Sequence, residues 1–288
     1  MILLADSGTT KCDWIFVDNQ RNDKHFIIST PGLNPTYAME NEIIGAVNSS
    51  NDILSIKSYV EQIFFFGSGC GPENIRQKMK QTLKSLFYKS TDIHVLSDIE
   101  GAVFATSDDP AVVAILGTGS NCCYYDGKKV DVKIPSLGYS LMDDGGGNAI
   151  GRACLRAYFY RRMPEHLAKK FEERYNMDPE RVKYNLYHHN NQSAYLASFA
   201  PFVLENLDDP IMQGIMEFEI RLFINNALHP YKEELKELPV HFVGSIAHHA
   251  ESVIKNLCKE YGYTVGSVLG RPVKELARRI ETIIEHIK

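Results

Sequence analysis

One arrangement of residues occurs twice in this chain. Ile2 to Ala5 is a short apolar run, the turn Asp6-Ser7-Gly8-Thr9-Thr10-Lys11 follows, and Cys12 to Val17 (CDWIFV) is a second run of strand-forming residues. Much later Val112 to Leu116 (VVAIL) precedes GTGSN, and CCYY then leads to Asp126-Gly127. Each copy reads as a strand, a tight glycine turn and a returning strand. Aligning Gly8 with Gly117 gives an offset of 109 residues, too long for a solenoid period and natural for duplicated domains. The 288 residues, 44% of them apolar, suffice for two cores, since single cores seldom exceed roughly 250 residues. The expectation is a pseudo-symmetric pair of α/β domains.

The intervening segments fit that plan. In PENIRQKMKQTLKSLFYK, Pro72 suits a first helical position, and Ile75, Met79, Leu83, Leu86 and Phe87 recur on one helical face. Ile93 to Leu96 predicts a strand, with Ser97-Asp98 at its end and a helix from GAVFAT onward. The second half predicts helices over 149–162, 165–175, 193–207 and 211–228, a polar loop over 187–192 and a strand over 240–243. From GSIA a helix runs toward Gly262, and an amphipathic helix from Arg271 closes the chain, placed to cross back onto the first domain.

Charge and composition narrow the partners. With 31 basic and 36 acidic residues the net charge is −5, and no basic block suits a nucleic acid or an anionic membrane. Asp6 interrupts the N-terminal apolar run too early for a signal peptide, and no stretch approaches the ~20 apolar residues of a membrane span. Six scattered cysteines without a Cys-x-x-Cys pair fit reduced thiols in a cytoplasm. His188-His189 and His248-His249 are adjacent pairs whose side chains diverge, which favours surface placement over metal ligation.

Four segments carry chemistry, each with an ordinary alternative. Asp6 to Lys11 offers glycine for close backbone approach, hydroxyl and amide donors, and a carboxylate for hydrated magnesium; the alternative is a plain hairpin turn. The matching Gly117-Thr118-Gly119-Ser120-Asn121 favours phosphate, because two such hairpins facing one another across a cleft can grip one triphosphate. Asp98 is by position either a general base or a helix N-cap. In Met142 to Gly151 (MDDGGGNAIG) the paired acids can accept hydrogen bonds from sugar hydroxyls or form a solvated turn before a helix. Gly244-Ser245-Ile246-Ala247 is either a nucleotide-contact turn or a plain strand-to-helix turn.

Taken in order, DSGTTK, SDIEGA, ILGTGSN and VGSIA resemble the first phosphate, connecting, second phosphate and adenosine motifs of the sugar kinase, heat-shock ATPase and actin superfamily. GTGSNC and MDDGGGNAIG are similar to segments of the N-acetylglucosamine kinase branch of the BadF/BadG/BcrA/BcrD-type ATPase family. The resemblance runs from residue 2 to about 275. It implies two pseudo-symmetric actin-like, ribonuclease H-like domains with a nucleotide cleft between them. The first spans 1–108, with the helix over 271–288 packed back on it; the second spans 109–270 and carries a helical insertion.

The resemblance also implies ATP and Mg2+ as cofactors, a small sugar as the partner, compatibility with a homodimer, and phosphorylation of the 6-hydroxyl of an amino sugar, N-acetylglucosamine foremost. By position it gives Asp98 as the base and Asp6 toward magnesium through water. Gly8, Thr9, Thr10, Lys11, Gly117, Thr118 and Gly119 then surround the phosphates, and Gly244 and Ser245 lie near adenosine. Asn34 (in PGLNP), Ser120, Asn121, Asp143 and Asp144 fall at sugar-facing positions. Met142, Asp144 and Gly146 depart from the family's Gly, Glu and Ser, and Asn148-Ala149 replace a bulkier pair. Two other functions remain open at this point: an activase-type ATPase with an iron–sulfur cluster, for which Cys122, Cys123 and Cys154 are available, and a non-catalytic sugar sensor on the kinase fold.

Overall fold

The structure, a computed structural model, describes residues 1–17, 26–189 and 191–287. The chain divides into two compact units, Met1–Asp109 with Arg271–Lys288, and Pro110–Gly270.

In the first unit β1 (Ile2–Ser7), β2 (Lys11–Val17), β3 (Ile27–Pro31), β4 (Gln62–Gly67) and β5 (Asp92–Ser97) form one sheet in the order β3-β2-β1-β4-β5. β1 runs antiparallel to β2, which sets Asp6 opposite Asp13, and parallel to β4. Strands covered on both faces read as continuous apolar runs, and Leu3, Leu4 and Ala5 of β1 and Phe64, Phe65 and Phe66 of β4 are fully buried. Trp14 anchors this core with its ring centroid 6.2 Å from those of Phe65 and Phe87, while its indole N–H donates to Thr30 Oγ1 at 3.0 Å.

The helices of this part are α1 (Glu40–Asn48), α2 (Asn51–Ile56), α3 (Glu73–Leu86) and α4 (Asp98–Thr106). α3 buries Met79, Leu83 and Leu86 on the expected face, although Pro72 takes the N-cap and not the first helical position. α4 begins directly at the end of β5, with Ser97 as its N-cap.

The second unit repeats the scheme. β6 (Ala111–Leu116), β7 (Ser120–Tyr125), β8 (Val130–Asp131), β9 (Val240–Val243) and β10 (Val265–Leu269) lie in the order β10-β9-β6-β7-β8. β6 is antiparallel to β7 and parallel to β9, as β1 is to β2 and β4, so the duplicated sequence plan folds as a duplicated sheet.

Between β8 and β9 come α5 (Gly147–Phe159), α6 (Glu165–Arg174), α7 (Pro179–His188), α8 (Gln192–Ala197), α9 (Ala200–Glu205) and α10 (Pro210–Phe223). After α10 the backbone continues as a π-helical turn, Ile224–Leu228. Phe171 of α6 packs against Phe199 and Phe202, with ring centroids at 5.8 and 4.9 Å. α11 (Ser245–His249) and α12 (Glu251–Glu260) link β9 to β10. α13 (Val273–Arg278) and α14 (Ile280–Ile287) belong to the first unit, where α13 lies on β1, β2 and α4.

Several expected helices are broken. The run over 193–207 forms α8 and α9, with Pro201 in the first turn of α9, where its missing N–H is harmless. The run over 211–228 leaves the α repeat at Ile224. The stretch from Ser245 toward Gly262 divides at Ala250, and the closing helix divides at Arg279. In the expected loop over 187–192, Tyr187 and His188 instead complete α7, and Asn190 lies outside the described residues.

Candidate active site

In the first unit the turn between β1 and β2 closes through Gly8 N–H donating to Lys11 O at 2.9 Å. The segment Gly32-Leu33-Asn34 lies against it: Gly32 N–H donates to Thr10 O at 3.0 Å, and Leu33 N–H to Ser7 Oγ at 3.0 Å. Asn34 is 5% exposed, and its amide nitrogen donates to both Thr9 Oγ1 and Ser68 Oγ at 3.2 Å, while its oxygen accepts from Thr36 N–H. Asn34 is a sugar contact in the sequence expectation; its amide nitrogen donates within the first unit, and its oxygen keeps one lone pair. Lys11 Nζ sits 2.8 Å from Asp13 Oδ2, so this ammonium is paired with a buried carboxylate on its own strand. Ser29 also donates to Asp13, at 2.6 Å, and Arg271 Nε stands 3.7 Å away.

Asp98 is the first residue of α4 but not its cap. Ser97 and Glu100 form a capping box: Glu100 N–H donates to Ser97 Oγ at 3.4 Å, and Ser97 N–H to Glu100 Oε2 at 2.8 Å. The capping alternative for Asp98 therefore passes to its neighbour. Asp98 Oδ1 accepts from Ile99 N–H at 2.9 Å. Burial pushes the Asp98 carboxyl up to about 6, against the lowering effect of hydrogen bonds from Ile99 and from the Ser68 hydroxyl. Burial, followed by the nearby charges of Asp98 and Asp13, pushes Asp6 up to about 7, with Lys11 opposing. A protonation equilibrium near neutrality suits a group that takes a proton from an alcohol.

In the second unit the glycine turn is stitched to the start of α5. Gly147 N–H donates to Gly117 O at 2.8 Å and Asn148 N–H to Thr118 O at 2.9 Å, while Gly117 N–H closes the turn on Gly119 O at 3.0 Å. Asp143, 9% exposed, adopts a left-handed backbone with φ of 68°. For a residue other than glycine this conformation is uncommon and is held by its surroundings. Its Oδ1 accepts from Ser120 N–H at 3.4 Å and its Oδ2 from Asn148 Nδ2 at 2.8 Å. Burial raises the Asp143 carboxyl, against the Asn148 hydrogen bond. The approach is so close that a Cβ on Gly119 would stand 2.6 Å from Asp143 Oδ2.

These residues edge a cavity of about 170 Å³. Its lining mixes polar residues, Ser120, Asn121, Ser136, Asp143, Asp144 and Asn226, with apolar ones, Cys122, Ile134, Pro135, Met142, Phe223 and Ala227. Asn226 Nδ2 donates to Asp144 Oδ2 at 2.8 Å. The structure thus brings four of the five expected sugar-facing residues to one cavity, and the π-helical turn adds Asn226 and Ala227. At the far end of β9, Gly244 has φ of 120°, and a Cβ there would stand 2.3 Å from Leu116 O. Only glycine lets α11 start beside the second turn, with Ser245 exposed at its first position.

Ser68 and Asn226 escaped the sequence reading, and Asn148 entered it only as a departure from the family segment, without a role. Ser68 follows the apolar strand QIFFFG in a Gly-Ser-Gly turn, the same strand-then-glycine signal that marked the other loops. All six cysteines are free and buried, and burial pushes the Cys122 thiol up, which disfavours the thiolate an iron–sulfur cluster requires. Among the described residues no group of three or more His, Cys, Asp or Glu could hold a metal ion directly. None of the described helices is long and apolar enough to cross a membrane.

No protein-family model matches the chain, and no curated protein matches it. Among solved structures, it is similar to a provisionally assigned N-acetylglucosamine kinase from Porphyromonas gingivalis, 31% identical over 98% of this chain and 99% of that one, with a TM-score of 0.89. A provisionally assigned N-acetylglucosamine kinase from Chromobacterium violaceum shares the fold at 15% identity and a TM-score of 0.67, covering 97% and 98% of the two chains. A ROK family glucokinase from Streptomyces griseus, solved with glucose and AMPPNP, does so at 15% identity and a TM-score of 0.60, covering 96% of each. With an end-to-end relative at that identity and a duplicated sheet carrying a glycine turn in each copy, the chain belongs to the sugar kinases of actin-like fold.

Proposed function

We propose that this sugar kinase transfers the γ-phosphoryl group of ATP to the 6-hydroxyl of an N-acetylated amino sugar, with N-acetylglucosamine as the first choice. The observation that carries this reading is the cavity of the second unit, lined by both polar and apolar side chains. Its carboxylates and amides suit ring hydroxyls, and its apolar side chains, Cys122, Ile134, Met142 and Phe223 among them, suit an acetyl methyl group. The assignment attached to the Porphyromonas gingivalis relative points the same way.

In this reading Asp98 accepts the proton of the 6-hydroxyl as its oxygen bonds to the γ-phosphorus and the bond from that phosphorus to the β,γ-bridging oxygen breaks, releasing ADP. Gly8, Thr9 and Thr10, and Gly117, Thr118 and Gly119, offer backbone amides and hydroxyls to the phosphates, and Gly244 and Ser245 lie against adenosine. Lys11 acts through its partner Asp13 and adds positive charge beside the loop. Asp143 and Asp144 accept from sugar hydroxyls, with Ser120 and Asn121 beside them. Asn34 supports the sugar side indirectly, through Thr9 and Ser68.

The cluster of Asp6, Asp13 and Asp98 has more negative charge than Lys11 offsets, a donor set that fits Mg2+ held through water by Asp6. When bound, the ion neutralises phosphate charge. The six free, buried cysteines are consistent with a cytoplasmic setting.

The test is coupled ADP release over a panel of hexoses and hexosamines. The highest kcat/KM should come from an N-acetylated hexosamine with a free 6-hydroxyl. Equal values with glucose would remove the amino-sugar part and leave the kinase. Sugar binding without any ADP release would instead support the sensor.

A further inference from the structure

We propose that Asn148 is a positioning residue for sugar capture: anchored on Ser193, its amide fixes the Asp143 carboxylate in one orientation toward the cavity. This rests on the reading that Asp143 binds the sugar.

Asn148 stands in the first turn of α5 and is 1% exposed. Its side-chain nitrogen spends both hydrogens, one on Asp143 Oδ2 at 2.8 Å and one on Ser193 Oγ at 2.9 Å. Its side-chain oxygen is buried and, among the described residues, has no hydrogen-bond partner. For folding alone this is a poor choice, because an orphaned buried carbonyl is destabilising and a leucine of similar size would pack there without one. The polar side chain is explained by what its nitrogen holds. Reversing the amide would turn its oxygen against the carboxylate, so the ionised Asp143 itself selects the orientation seen.

The consequence for Asp143 is a count of acceptor sites. An ionised carboxylate accepts at about four lone pairs. Asn148 and Ser120 N–H use one on each oxygen, which leaves one on each for a sugar hydroxyl. The Asn148 donor also favours the ionised form. The other charged groups around the loop are Asp144 beside it, which opposes ionisation, and Arg152 on α5, which favours it; Glu219 on α10 shares both of these neighbours. Without the Asn148 donor the balance shifts to the protonated acid, so sugar affinity should fall most at low pH and recover as pH rises.

Asn148→Leu in the full-length protein tests this, with an N-acetylated hexosamine and ATP as substrates. Expected are a thermal midpoint equal to or above the parent's, a nucleotide KM within about twofold, and a sugar KM raised about tenfold or more at pH 7, as for a lost charge-assisted hydrogen bond. The acid limb of kcat/KM for sugar should move to higher pH. A merely structural Asn148 would lower the midpoint and leave that limb in place, which overturns the proposal. If Asn148→Leu does not fold, Asn148→Ala, which removes the donor without adding bulk or charge, should give the same split between sugar and nucleotide KM. Unchanged sugar KM in the folded variant, while Asp143→Ala still loses sugar, overturns the positioning role alone. Unchanged sugar KM in Asp143→Ala as well overturns the cavity reading beneath it.

Discussion

Asn34 donates its amide hydrogen to the Ser68 hydroxyl at 3.2 Å, and that hydroxyl lies beside Asp98, whose ionised form it favours. With Asn34 donating to its oxygen, Ser68 keeps its single proton to offer the carboxylate. Ser68→Ala should therefore raise the Asp98 pKa above its value of about 6, since a donor to the charged form has been lost. The acid limb of the kcat profile should shift to higher pH. Turnover should drop several-fold at pH 6 and return near the parent value above pH 8, read from pH–rate profiles at saturating substrates.

Asp98→Asn separates chemistry from folding. Ser97, not Asp98, caps α4, and burial disfavours the Asp98 charge, so the variant should keep or raise its thermal midpoint at neutral pH and keep its affinity for nucleotide. Loss of a positioned base should lower kcat by roughly 10²–10⁴-fold. Turnover within a few-fold of the parent would place the base elsewhere.

Asp6 gives a prediction for stability. Its pKa in the folded chain, about 7, lies above its ordinary value near 3.8, so the folded state holds a proton that the unfolded state has released between those pH values. The contribution of Asp6 to stability is therefore favourable below the lower value and is lost as pH rises through the upper one. Without divalent cation, Asp6→Asn should raise the thermal midpoint more at pH 8 than at pH 5; with Mg2+ present it should abolish most turnover. Calorimetry at the two pH values checks the sign.

The two glycines of the second turn should respond differently. A Cβ on Gly117 meets nothing within 4 Å, so Gly117→Val should fold normally and raise the KM for ATP if phosphate lies there. At Gly119 a Cβ meets Asp143 Oδ2 at 2.6 Å, so Gly119→Ala should displace the carboxylate and raise the sugar KM. Separate saturation curves for the two substrates distinguish the effects.

Asp143→Ala should weaken sugar binding by about 1.5–3 kcal/mol, the range for hydrogen bonds to a charged group, with nucleotide affinity nearly kept. Titration calorimetry with each ligand alone measures both. A loss confined to nucleotide would move this residue out of the sugar site.

Sequence and structure meet most closely at the hairpins. Ile2–Ser7 and Ala111–Leu116 announce themselves because central strands are apolar on both faces, end in glycine turns and are each followed by a returning strand. The closing helix was visible from its amphipathic spacing, but its break at Arg279 was not, since no proline or glycine marks it. Asp143 could be singled out by its family-like segment, whereas its left-handed backbone depends on Ser120 and Asn148, contacts 23 and 5 residues away. Asn226 was hidden for a different reason: an α-helical repeat continued past Phe223 gives its residues another phase, and only the π turn brings Asn226 to Asp144.

The two main-chain bonds from Gly147 and Asn148 to Gly117 and Thr118 bear on where the reaction's entropy is spent. Aligning two reactants can account for roughly 7–11 kcal/mol of a barrier when their translational and rotational freedom is removed in advance. Here the second glycine turn and the wall of the cavity were made one rigid piece when the unit folded. Folding free energy, drawn once per molecule, thus fixes their mutual geometry, and each turnover can direct the binding energy of sugar and nucleotide to whatever motion remains.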